Sequence, residues 1–213
     1  MAGFLCCALI WSGCAQYKRS SLLIKVPDYY PQRVQIHQLH LVADPYFEKS
    51  RVQHLFNSDI LDRGILAVHF IAFNYGEEEY DLSRATFTLI KSDGSEIFPM
   101  EPKQVARKVL KHTSVRMIGW GFAGLVVLSI PFVIISGIDS RRSNQQTRDA
   151  VKDEAMRVFE IGSKEIVDGF YFFKLGRKSK EIERALQNKC QIKINGLVEQ
   201  KSQVAYDFII GLN

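Results

Sequence analysis

Apolar residues fill both parities from Gly64 to Tyr75, Gly-Ile-Leu-Ala-Val-His-Phe-Ile-Ala-Phe-Asn-Tyr. That pattern predicts a strand lying centrally between two sheets. Upstream, Leu22 to Val26 reads as a short strand before a turn around Pro27 and Pro31. From Arg33 to Val42 the alternation places Val34 and Ile36 on one parity and Leu39 and Leu41 on the other, which predicts one strand with a bulge near Gln38. Asp44-Pro45 has the order of an N-cap followed by the first helical residue, leading a short helix through Phe56. After a charged turn, Asn74 to Glu79, Ala85 to Lys91 and Glu96 to Phe98 form a predicted hairpin closed by Ser92-Asp93-Gly94-Ser95.

The rhythm then changes. A basic helical pattern, Lys103 to Arg116, leads into Met117 to Ile138, a run without one ionisable side chain. As a helix rising about 1.5 Å per residue it would be roughly 33 Å long, enough to cross a hydrocarbon core of about 30 Å. Asp139 to Asn144 is a polar break, and Gln145 to Ile161 carries Val151, Ala155, Val158 and Phe159 at the spacing of an amphipathic helix. Three further strands are predicted at Phe170 to Leu175, Cys190 to Ile194 and Gln203 to Ile210, with a helix at Ser179 to Asn188.

The predicted fold class is mainly β with a helical insertion. Short strands before and after the insert resemble an immunoglobulin-like β-sandwich, here interrupted by an apolar membrane-length helix and an amphipathic helix; an unrelated α+β arrangement is the alternative. The layout divides into residues 1–13 (signal peptide), 14–32 (lipidated tether), 33–101 (first part of the sandwich), 102–116 (basic helix), 117–138 (apolar membrane segment), 139–162 (amphipathic helix) and 163–213 (second part of the sandwich).

The first thirteen residues form a short apolar run ending in small residues just before Cys14, the shape of a signal peptide's apolar core and cleavage site. Trp11-Ser12-Gly13-Cys14 resembles the lipobox of bacterial lipoproteins. The resemblance implies cleavage between Gly13 and Cys14, a diacylglyceryl thioether on the Cys14 sulfur, and an acyl chain on the new amino terminus. Ala15, in place of Asp, resembles lipoproteins sent on to the outer membrane. The layout is also similar to that of uncharacterised envelope lipoproteins in which a glycine-containing apolar helix interrupts the domain.

Topology constrains the insert. Lys103, Arg107, Lys108, Lys111 and Arg116 precede it and Arg141, Arg142, Arg148, Lys152 and Arg157 come after it, so the positive-inside rule gives no orientation. A single crossing would separate two halves that share a sandwich, because strand edges cannot pair across a bilayer. Pro131 suits a re-entrant hairpin, and Gly119, Gly121, Gly124 and Gly137 suit close helix packing in an assembly; a return through Gln145 to Ile161 is a third route, and a single span with separately folded halves a fourth.

Composition adds little chemistry. The formal charge of +5 is spread thinly, which favours a basic surface facing anionic lipid over a nucleic-acid site. Three of the four cysteines lie at or before Cys14, leaving Cys190, expected as a buried small residue, outside any disulfide or zinc framework. Gly119-Trp-Gly121-Phe-Ala-Gly124 matches a dinucleotide-binding spacing with Asp139 downstream, but a basic helical pattern precedes it and Pro131 interrupts the helix such a site needs after its glycines. His37 and His40 point to opposite faces of one predicted strand; His54, His69 and His112 are isolated, with His69 read as a tolerated core or edge residue. Asp59, Asp62 and Glu77-Glu78-Glu79 read as solvated acids.

The expected function is therefore non-catalytic: a membrane-anchored envelope lipoprotein that binds or scaffolds within a cell-envelope assembly. Its periplasmic domain faces membrane lipid, other copies or other envelope proteins, with no metal, cofactor, nucleic acid or small-molecule substrate. The alternative is a single-span inner-membrane protein, a sensor or transport accessory, with a cytoplasmic C-terminal half. A membrane-bound hydrolase is the third reading.

Overall fold

The computed structural model describes residues 22–109, 145–156 and 160–212. Its strands build two antiparallel sheets. The first sheet runs β1 (Arg33–Ile36), β2 (Leu39–Tyr46), β3 (Ile65–Asn74), β8 (Ile166–Lys174) in that order. The second is centred on β9 (Gln191–Glu199), with β10 (Ala205–Gly211) on one edge. Its other edge takes β5 (Thr86–Ile90) and β4 (Tyr80–Asp81), which are flanked in turn by β6 (Glu96–Ile97) and β7 (Glu160–Ile161). The helices are α1 (Lys49–Phe56), α2 (Pro102–Val109), α3 (residues 145–154) and α4 (Ser179–Gln187).

The mainly β expectation holds, and the reason is visible in β3. All ten of its residues are buried. The side chains on the parity of Phe70 face the second sheet, where Phe70 meets the Phe87 ring edge-on at 5.1 Å and Phe87 stacks on Tyr171 at 4.2 Å. The opposite parity is covered by α1 and the N-terminal arm instead. Phe56 of α1 reaches Phe170 and Phe172 at 5.3 and 5.5 Å, and Ile24 and Tyr30 pack on Val42, Ile71 and Phe73. The strand is thus central, as predicted, but a helix and an arm take the place of a sheet on its outer face.

Chain segments from either side of the 110–144 region pair in both sheets. β3 pairs with β8 from Ile65↔Lys174 to Phe73↔Ile166, and β5 pairs with β9 from Thr86↔Asn195 to Ile90↔Gln191. Met100 and Met156 donate backbone hydrogen bonds to Phe172 and Phe170 along the free edge of β8. Burying this shared aromatic and aliphatic core supplies the main driving force for association of the two halves.

Several local predictions are corrected. Leu22 to Val26 is irregular, followed by a 3-10 turn at Pro27–Tyr29. The parity switch near Gln38 is a two-residue hairpin turn: Ile36 faces Leu39 and His37 takes a left-handed φ of 48°. Asp44 and Pro45 end β2 rather than start a helix, and α1 begins at Lys49. Pro45 fits there because β1 pairs only as far as Val42, so its missing N–H lies on a locally unpaired edge. The amphipathic helix stops at residue 154, because Ala155 turns in to bridge Phe170 beside β8.

The hairpin at Ser92 to Ser95 is present, with Gly94 at φ 78°, as are the helix before Cys190 and the last strand. Cys190 is fully buried and donates to the Ala185 carbonyl at 3.0 Å. The apolar run 117–138 lies outside the described residues; among those described, no helix is long and apolar enough to cross a membrane.

Candidate functional site

The outer face of the first sheet carries polar groups where its inner face carries almost none. Alternation along β2 turns Asp44 and Tyr46 to that face, and the register sets His69 of β3 opposite both Asp44 and Phe170. The His69 ring stacks on Phe170 at 4.5 Å between centroids with 10° between planes, and it meets Tyr46 edge-on at 6.0 Å. His69 is only 3% exposed. Its Nε2 lies 2.9 Å from Oδ2 of Asp168, a β8 residue 99 positions later.

That contact decides the tautomer of the neutral ring. With Asp168 ionised, Nε2 keeps the proton and donates it, leaving Nδ1 as the lone-pair nitrogen. The imidazole is held by stacking on one side and by a carboxylate at its edge, so its orientation is fixed before any ligand arrives.

Arg51 completes the group. One turn into α1, it lays its guanidinium over Tyr46 at 4.0 Å from the ring centroid and reaches Oδ2 of Asp44 at 3.0 Å. Burial is the largest influence and works against the Arg51 charge, but Asp44 and Tyr46 together hold the guanidinium pKa above its ordinary value. Burial likewise lifts the Tyr46 phenol above the usual tyrosine range, against the pull of Arg51. The N-terminal arm supplies the remaining wall, with Lys25, Tyr29, Tyr30 and Gln32 around a cleft of about 470 Å³ into which His69 opens.

Chemically this is a cleft with aromatic walls, an oriented imidazole and a partly neutralised cation. No Ser, Thr or Cys is among its lining residues. Its aromatic walls, imidazole and guanidinium can hold a polar ligand by hydrogen bonding and stacking.

The other predicted residues are scattered. Gly13, Cys14, Gly119, Gly121, Gly124, Pro131, Gly137, His112 and Asp139 all lie outside the described residues. His37 sits in the β1–β2 turn, while His40 stands in β2, edge-on to Tyr75 at 5.5 Å, with its pKa lowered chiefly by burial. His54 is in the last turn of α1 and exposed. Asp59 and Asp62 both pair with Lys49. Glu77 and Glu78 pair with Lys164 and Lys201. Among the described residues no three His, Cys, Asp or Glu side chains converge as a metal site.

Sequence reading treated His69 as an isolated core or edge residue, took Asp44 only as a helix cap, and did not single out Tyr46, Arg51 or Asp168. The one available signal was a histidine inside an otherwise unbroken apolar strand, where a buried imidazole needs a hydrogen-bonding partner. No protein-family model, curated protein or solved structure matches this chain.

Proposed function

We propose that this chain is a membrane-anchored envelope lipoprotein whose immunoglobulin-like, two-sheet body binds or scaffolds other components of a cell-envelope assembly without catalysis. Cys14 carries the lipid, and the apolar run 117–138 lies in the membrane or packs between copies. The 22–32 arm leads from the lipidated end to the cleft around His69, which is the binding surface the body offers. Ala15 after the acylated residue favours the outer membrane as the address.

The observation that carries this reading is the pairing of strands across the apolar run, β3 with β8 and β5 with β9. Paired strands occupy one compartment, so both ends of the run must return to one side of any bilayer it enters. That weighs against the single-span alternative with a cytoplasmic C-terminal half. It suits a lipoprotein, in which the acyl chains and the run together supply the two signals that stable membrane residence needs.

The test is mass spectrometry of the mature N-terminus. Acylated Cys14 is expected, with Cys14→Ala accumulating as unprocessed precursor. An unmodified Met1 or Ala2 terminus on the mature protein overturns the lipoprotein reading.

A further inference from the structure

We propose that the cleft between α2 and α3 seats the phosphate of an anionic phospholipid headgroup at the root of the apolar run. This rests on the reading that residues 117–138 meet the membrane. The cleft has a volume of about 800 Å³, and its walls include Arg107, near the last described residue before the 110–144 region, and Gln145, the first described residue after it. Each helix buries one face, Val105 and Val109 on α2, Ala150 and Val151 on α3. Each helix also sends a pair of cations one turn apart into the cleft, Lys103 and Arg107 from α2, Arg148 and Lys152 from α3.

All four are exposed. Only Glu101 and Asp149 oppose them among the lining residues, and Asp149 already accepts from Gln145 at 2.9 Å. The cleft is therefore net positive. Guanidinium groups on facing helices can each give two parallel N–H donors to one phosphate, a geometry that ammonium groups do not provide. On the reading that residues 117–138 meet the membrane, only residues 110–116 and 139–144 separate the cleft's walls from that run in sequence, so lipid phosphate is the anion available in quantity nearby. Each basic residue close to an anionic surface strengthens association about fivefold.

The full-length chain, purified in a neutral detergent, is offered equal amounts of phosphatidylglycerol and phosphatidylcholine, and retained lipid is counted by native mass spectrometry. Phosphatidylglycerol should be retained about tenfold over phosphatidylcholine, with the preference falling to near parity in the Arg107→Glu/Arg148→Glu variant. The milder Arg107→Gln/Arg148→Gln pair, which keeps both lysines, should give an intermediate preference and serves if the charge reversal misfolds. Parity in the unaltered chain, or a preference indifferent to both variants, overturns the assignment. Inorganic phosphate in excess should leave the lipid adduct in place; its full displacement would make the cleft a free-phosphate site. Failure of the underlying reading is read separately, because a chain that stays dispersed without detergent does not meet the membrane at all.

Discussion

The two faces of the first sheet are both covered, the inner more completely, and they are chemically unlike. On the inner face Phe70, Phe87 and Tyr171 lock the sheets together by ring packing, and the buried Asn74 at the end of β3 spends its amide on the Glu78 and Gly162 carbonyls. On the outer face the same strands thread Asp44, His69 and Asp168 among Tyr46, Phe56 and Phe170, and Arg51 closes over them from α1. A purely structural cover for β3 would use hydrocarbon throughout, since each buried polar group must find a partner to break even. The outer face keeps its polar groups and orients them around a cleft. The contrast separates what holds the body together from what the body presents.

Truncation tests that division most severely. Phe70→Ala should cost about 3–5 kcal/mol, with the midpoint of urea unfolding of the detergent-purified chain as the readout. Its outer-face counterpart, Asp168→Ala, should cost about 1–3 kcal/mol by leaving a buried imidazole without its partner. In the His69→Phe/Asp168→Leu double variant much of that loss should return, because both ends of the polar contact are then apolar. A double variant no better than Asp168→Ala alone would mean that the pair holds the fold rather than furnishing the cleft.

Arg51→Met should cost less, about 1 kcal/mol, since its ion pair with Asp44 is partly solvated and the methionine can still cover Tyr46. The smallest change belongs to the inner face at alkaline pH. Burial raises the Tyr171 phenol well above its ordinary value. A raised folded-state pKa means that its stabilising contribution is complete below about pH 10 and is lost as pH climbs through the raised value. Tyr171→Phe should therefore be near neutral at pH 7 and should blunt the fall in thermal midpoint above pH 10.

Sequence alone revealed the elements whose partners are close in the chain or whose pattern is unbroken: β3, the β5–β6 hairpin around Gly94, the α4 helix and β10. It misread places where one local pattern serves two geometries. A parity switch looks the same for a bulge and for a two-residue turn, so the His37-Gln38 reversal was read as one continuous strand. Asp-Pro opens helices, yet Pro45 also fits a strand end that has outrun its neighbour. The cleft was illegible for a different reason: His69 gains its meaning from Asp168, and nothing local to either residue announces that β3 and β8 pair. The likeness of Trp11 to Cys14 to a lipobox is a separate case, a proposed processing signal that lies outside the described residues.

The central claim is that both sides of the apolar run belong to one body in one compartment. It is tested most directly by placing a single reporter on each side, Ser92→Cys in the β5–β6 turn and Ser202→Cys in the β9–β10 turn, both exposed positions. Each is made in a Cys190→Ala chain and treated in spheroplasts with a membrane-impermeant maleimide. Both reporters should label without lysis. Labelling of Ser92→Cys alone, with Ser202→Cys reached only after lysis, would contradict the claim.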